Sequence, residues 1–231
     1  MALYLVHACN QRLWYVRDFL LPSMINQGID PDKILVYRDK NNIGNLRAWV
    51  DSCNRLTTVG ADGVWHLQDD VVICKDFKER TEQYDSGLVC GFTCAYNVPT
   101  VAGKFKLSEE KMWFSFPCIR IPMDIIKEFT EWANKCLWQS EYFRENVMRN
   151  NADDLVFREW LYDGYPDMEE LNLAPNLVNH IDYLIDGSVV NKGRNRDTTS
   201  IFWEDNDIIE ELKGAIEDYR RKKLNDKQTN S

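Results

Sequence analysis

Residues Gly63 to Ile73 read Gly-Val-Trp-His-Leu-Gln-Asp-Asp-Val-Val-Ile, an apolar run with two adjacent carboxylates set inside it. β-Branched and aromatic residues dominate the run, which predicts a buried strand. Side chains alternate across a strand, so Asp69 and Asp70 cannot both enter one buried face. They are tolerable where the strand ends and opens onto a cleft. The carboxyl ends of parallel strands are also where open α/β sheets bind ligands. A hard divalent cation holding a diphosphate would use such oxygens. The dipeptide alone suits a pair of exposed turn aspartates equally well.

Outward from this strand, apolar runs alternate with helical patterns, the signature of an α/β fold with a largely parallel sheet. Leu3 to Ala8 predicts a first strand, and Leu13, Val16, Phe19, Leu20 and Met24 then recur at helical spacing until Gly28. Ile34 to Tyr37 predicts a strand and Ile43 to Leu56 a helix with Leu46, Val50 and Cys53 on one face. Further strands are expected near Leu88 to Ala95 and Met112 to Ile121, a helix from Met123 to Cys136 opened by Pro122, and another helix from about Asp154. Leu173 to Arg196 reads as irregular. From Asp207 to Lys223 the apolar residues form one stripe of a charged helix. With no repeat or low-complexity linker, the expectation is a single domain over 1–205, an amphipathic helix at 206–224 docked on it, and a flexible tail at 225–231.

Composition excludes several classes. The 231 residues are 44% hydrophobic, enough for a substantial core, and the net charge of -9 argues against an extensive nucleic-acid surface. The opening Met-Ala-Leu-Tyr-Leu-Val-His-Ala-Cys has no basic residue before a short apolar run, and no stretch approaches the roughly 18 apolar residues of a membrane span. The expectation is a cytoplasmic protein without a transmembrane segment. Seven cysteines without a C-x-x-C pair read as reduced core thiols. No glycine precedes Gly28, so the turn after the first strand cannot be the phosphate cradle of a dinucleotide-binding fold, a P-loop enzyme or a sugar-nucleotide pyrophosphorylase.

Three more stretches bear on the carboxylates: Asn41 to Trp49 (Asn-Asn-Ile-Gly-Asn-Leu-Arg-Ala-Trp), Asp153-Asp154-Leu155-Val156, and Pro175 to His180 (Pro-Asn-Leu-Val-Asn-His). Together with the quoted strand they resemble, in order and spacing, glycosyltransferases of the GT-A fold, over most of residues 1–205. The resemblance implies a GT-A-like, Rossmann-like, mostly parallel sheet flanked by helices, and a metal-dependent, hexosyltransferase-type enzyme. Such an enzyme moves a sugar from a nucleotide sugar, a UDP-sugar foremost, to an acceptor hydroxyl of a glycan, small molecule or modified base. By position, Asp70 and His180 would ligate Mn²⁺ or Mg²⁺, with Asp69 beside them. Gln68 stands where the family carries its first acidic residue, and can hydrogen-bond a ribose hydroxyl but supplies no charge.

One of Asp153 and Asp154 would be the general base of an inverting displacement, Asp154 first and Asp153 as the alternate. Aspartate at a helix start also caps free N–H groups, a sufficient structural role for one of the two. Arg38, Asp39, Asn45 and Arg47 sit where relatives hold the nucleoside, and Lys192, Arg194 and Arg196 follow His180 in a segment that could close over the diphosphate. Trp113, Phe114 and Phe116 offer either stacking faces or an ordinary core cluster. His7 and His66, inside strand-like runs, read as core residues. Two other readings stay open: a nucleotide-sugar hydrolase using the same carboxylates, and a non-catalytic nucleotide-sugar-binding protein.

Overall fold

In the computed structural model, residues 3–41, 43–92, 102–107, 116–137, 153–185 and 203–229 are described. The quoted stretch, expected as one strand, is two. Strand β3 (Gly63–Gln68) stops at the carboxylates, and β4 (Val71–Ile73) belongs to a separate ribbon with β9 (Val178–His180). Two carboxylates in succession cannot continue a strand buried on both faces, so the chain turns there.

The main sheet has the order β2-β1-β3-β7-β5-β8-β6, with β1 Leu3–Cys9, β2 Ile34–Asp39, β5 Leu88–Cys90, β6 Gly103–Lys106, β7 Cys118–Pro122 and β8 Glu169–Asn172. β1 pairs parallel with β2 and β3, and β5 with β8, while β7 and β6 run antiparallel to their neighbours. Strands β1, β2, β3, β5 and β8 therefore point one way and present their carboxyl ends along one edge.

Alternation along β1 separates two cores. Leu3 and Leu5 join Val64, Ile119 and Ile121 under helices α3 (Asn45–Leu56), α5 (Met123–Trp132) and α6 (Asp153–Gly164). Tyr4, Val6 and Ala8 join Trp65 and Leu67 on the other face, under the helical segment that follows β1 and Phe77 of α4 (Phe77–Glu82). The helix expected from Leu13 is a chain of pieces, α1 (Leu13–Tyr15), a π-helical stretch (Val16–Leu20) and α2 (Leu21–Asn26). Pro22 has no N–H for the preceding turn, and the helix widens just before it.

The last helix, α7 (Asn206–Thr229), buries Ile209 and Ile216 against the second core and runs past Lys223 into residues expected as a tail. Leu224, Lys227 and Gln228 in that extension are good helix formers. The segment from Leu173, expected as irregular, contains β9, and β6, β8 and α4 were not anticipated. Cys53, Cys74, Cys90 and Cys118 are buried thiols, as expected, whereas Cys9 is half-buried and Cys136 exposed; Cys94 lies outside the described residues. No helix among the described residues is long and apolar enough to cross a membrane.

Candidate functional site

The β4–β9 ribbon explains how residues far apart in sequence meet. Its register sets Val71 opposite His180, and the Ile181 N–H donates to the Asp70 carbonyl at 2.8 Å, which lays His180 beside Asp70. His180 Nε2 stands 3.1 Å from Asp70 Oδ2, and Nδ1 stands 3.4 Å from Asp182 Oδ1. Asp69 is tied to the end of β1, where its Oδ2 accepts the Cys9 N–H at 2.6 Å. The Tyr15 hydroxyl donates to the Val71 carbonyl at 2.8 Å and pins the ribbon to the helical segment.

Arg12, in the turn between β1 and α1, completes the group. Its Nη1 donates to Asp69 Oδ1 at 3.1 Å and to Asp70 Oδ2, bridging the two carboxylates. The side chains of Arg12, Asp69 and Asp70 are all more than nine-tenths buried, at 7%, 8% and 9% exposure. Sequence reasoning missed this residue. Its only signal is that it is the first basic residue of the chain and follows the first strand directly.

The charges are coupled. Burial pushes the Asp70 carboxyl up, but His180 and Arg12 together outweigh it and hold it well below the ordinary range. Burial and the charge of Asp70 raise Asp69 despite Arg12. For His180, burial opposes the charged form, yet Asp70 and Asp182 overcome it and raise the imidazole to about 10.

Asp153 and Asp154 open α6, and the structure separates them. Asp153 is buried. Burial, then the charge of Asp154, raise it to about 7, and Asp70 is near enough to add in the same direction. Asp154 is half-buried and its Oδ1 accepts the N–H of Leu155 at 2.9 Å, a bond within the helix start. Of the pair, Asp153 is the buried one and the one whose carboxyl feels the charge of Asp70.

Of the expected nucleoside residues, Arg38 and Asp39 end β2. Arg38 is exposed and its Nε donates to Asn10 Oδ1 at 2.7 Å, while Asn10 Nδ2 donates to the Lys40 carbonyl at 2.6 Å. Asp39 is buried and accepts the Ile43 N–H at 3.0 Å. Asn45 and Arg47 lie in the first turn of α3, and Gln68 closes β3 opposite His7. His7, edge-on to Tyr37 and His66, is lowered by burial to about 4, which keeps it neutral. Phe116 is core, its ring against Trp49, His66 and Phe157. Lys192, Arg194, Arg196, Trp113 and Phe114 lie outside the described residues.

The metal expectation does not fit this arrangement. Both Asp69 oxygens and Asp70 Oδ2 are engaged, and both His180 ring nitrogens face carboxylates. That leaves Asp70 Oδ1 and the two oxygens of Asp182 buried without a hydrogen bond. Among the described residues no three His, Cys, Asp or Glu side chains are grouped to hold a metal ion. In this arrangement Asp70 pairs with His180 and with Arg12, and His180 with Asp70 and Asp182.

No family model and no curated protein matches the chain. Among solved structures, that of S. aureus TarS 1-349 has a TM-score of 0.51 at 12% identity, covering 80% of this chain and 61% of that one. The chain has a GT-A-like fold. A glycosyltransferase involved in glycosylation of the major capsid of PBCV-1 has a TM-score of 0.43 at 9% identity, covering 75% and 81% of the two chains. The galactosyltransferase LgtC, in complex with donor and acceptor sugar analogs, has a TM-score of 0.38 at 12% identity, covering 93% and 96%.

Proposed function

We propose that the chain is a nucleotide-sugar-dependent glycosyltransferase. One observation carries the reading: in a GT-A-like sheet, Arg12, Asp69, Asp70 and His180 converge at the carboxyl ends of β1 and β3, and the buried Asp153 at the start of α6 feels the charge of Asp70. This is the edge where α/β sheets bind ligands. Asp153 acts as the general base, taking the proton from an acceptor hydroxyl as that oxygen attacks the anomeric carbon; the nucleoside diphosphate leaves from the opposite face, and the configuration inverts. A buried carboxyl with its pKa near the working pH is well matched to that transfer. Arg38, Asp39, Asn45, Arg47 and Gln68 are assigned to the nucleoside, and Lys192, Arg194 and Arg196 remain candidates for the diphosphate. The acceptor is a hydroxyl-bearing glycan, small molecule or modified base.

Product analysis on a panel of nucleotide sugars, with and without candidate acceptors, tests the reading. A glycosylated acceptor of inverted anomeric configuration is the expected result. Free sugar alone, whatever the acceptor, would make the chain a hydrolase, and donor binding without turnover would make it a binding protein.

A further inference from the structure

We propose that Arg12 is the resident cation of this site, so that the chain holds the nucleoside diphosphate of its donor without a divalent metal. The inference rests on the glycosyltransferase reading and changes what that reading requires. A divalent cation at a carboxylate pair does two things: it relieves the repulsion between the carboxylates and offsets the charge of the diphosphate. Arg12 already performs the first, because one of its nitrogens donates to both Asp69 and Asp70. For Mn²⁺ to take Asp69 Oδ1 or Asp70 Oδ2, those buried charge-assisted bonds and the contact between Asp70 and His180 would have to break.

The second task follows from position. Arg12 sits in the turn after β1, between that strand's end and the carboxylates after β3, and its guanidinium is charged at every working pH. Burial opposes the charge, but Asp70 and Asp69 more than compensate. A fixed positive group in a water-poor site acts on a nearby diphosphate far more strongly than the same group in bulk solvent. Arg12 is thus a positioning residue: it orders the two carboxylates and supplies a permanent charge where the metal of a metal-dependent enzyme would supply an exchangeable one.

Calorimetric titration with UDP, GDP, ADP, CDP and dTDP, in EDTA and then in Mn²⁺, tests this on the full chain. At least one diphosphate is expected to bind in EDTA, with an affinity that added Mn²⁺ leaves unchanged. Arg12→Gln should weaken that binding by about tenfold or more, the scale of a lost charge-assisted contact, and Arg12→Lys should retain part of it. A purely structural Arg12 would leave affinity intact in any variant that still folds, which would overturn the assignment. If Arg12→Gln fails to fold, Arg12→Lys and the wild-type comparison decide. Binding that appears only with Mn²⁺ would overturn the metal-free site while leaving the glycosyltransferase reading standing. No binding of any diphosphate in either buffer would overturn both.

Discussion

Asp153 and Asp154 are adjacent in sequence and opposite in environment, and the difference is testable at a single atom. If Asp153 is the base, its pKa of about 7 makes turnover rise as pH passes through that value, because the carboxyl must lose its proton before it can accept one. Asp153→Asn should cost on the order of 100- to 10,000-fold in turnover with little change in donor affinity, and should abolish that rise. Asp154→Asn should leave turnover nearly normal, since its carboxylate serves the helix start. A kinetic pH series on the three proteins checks both, and an inactive Asp154→Asn with an active Asp153→Asn would exchange the roles. The sequence singled out Asp69 and Asp70 as adjacent carboxylates in an apolar run, and His180 through the resemblance, and the structure brings the three together. Arg12 was not legible, because its partners lie 57 and 58 residues away and nothing in the local pattern connects them.

At the level of elements, the sheet leaves no room at Gly63, where β3 begins. A methyl group there would come within 2.8 Å of Arg120 Nη2 and 2.9 Å of the Ile121 carbonyl on β7. The backbone oxygen cannot move aside without disturbing the ladder, so Gly63→Ala should destabilise the fold by roughly 1–3 kcal/mol, the usual cost of overpacking. Chemical denaturation measures it, and an unchanged midpoint would mean that β3 and β7 separate more readily than their register implies. The long amphipathic helices and β1, β2 and β3 were legible because their apolar periodicity is strong. β6 and β8 were not: each has four residues, and β8 carries a buried Glu170 and Asn172 where an apolar pattern would have announced it. The break at Asp69 was visible as a conflict in the quoted stretch, but only the pairing of β4 with β9 shows that the strand changes sheets.

At the scale of the whole molecule, Glu170 carries an electrostatic cost that should appear in global stability. It lies on β8 between Leu88 and Phe105, its Oε1 has no hydrogen bond, and burial alone raises its pKa to about 8. The folded state keeps a proton that the unfolded chain releases above about pH 4.3. This contribution is therefore fully present below the unfolded pKa and is lost as pH rises through about 8, with a slope of at most about 1.4 kcal/mol per pH unit. Glu170→Gln should unfold at a higher temperature relative to wild type at pH 9 than at pH 5, and a constant difference would show that the carboxyl finds a partner. The central claim, a nucleotide-sugar site at the edge where β1, β3 and α6 meet, is tested most directly by thermal unfolding of the wild-type chain against a panel of nucleotide sugars. Ligand linkage predicts that at least one donor stabilises the fold by roughly 2 to 4 kcal/mol near saturation, an effect that Arg12→Lys reduces. A melting temperature unmoved by every donor, in EDTA and in Mn²⁺ alike, would contradict the account.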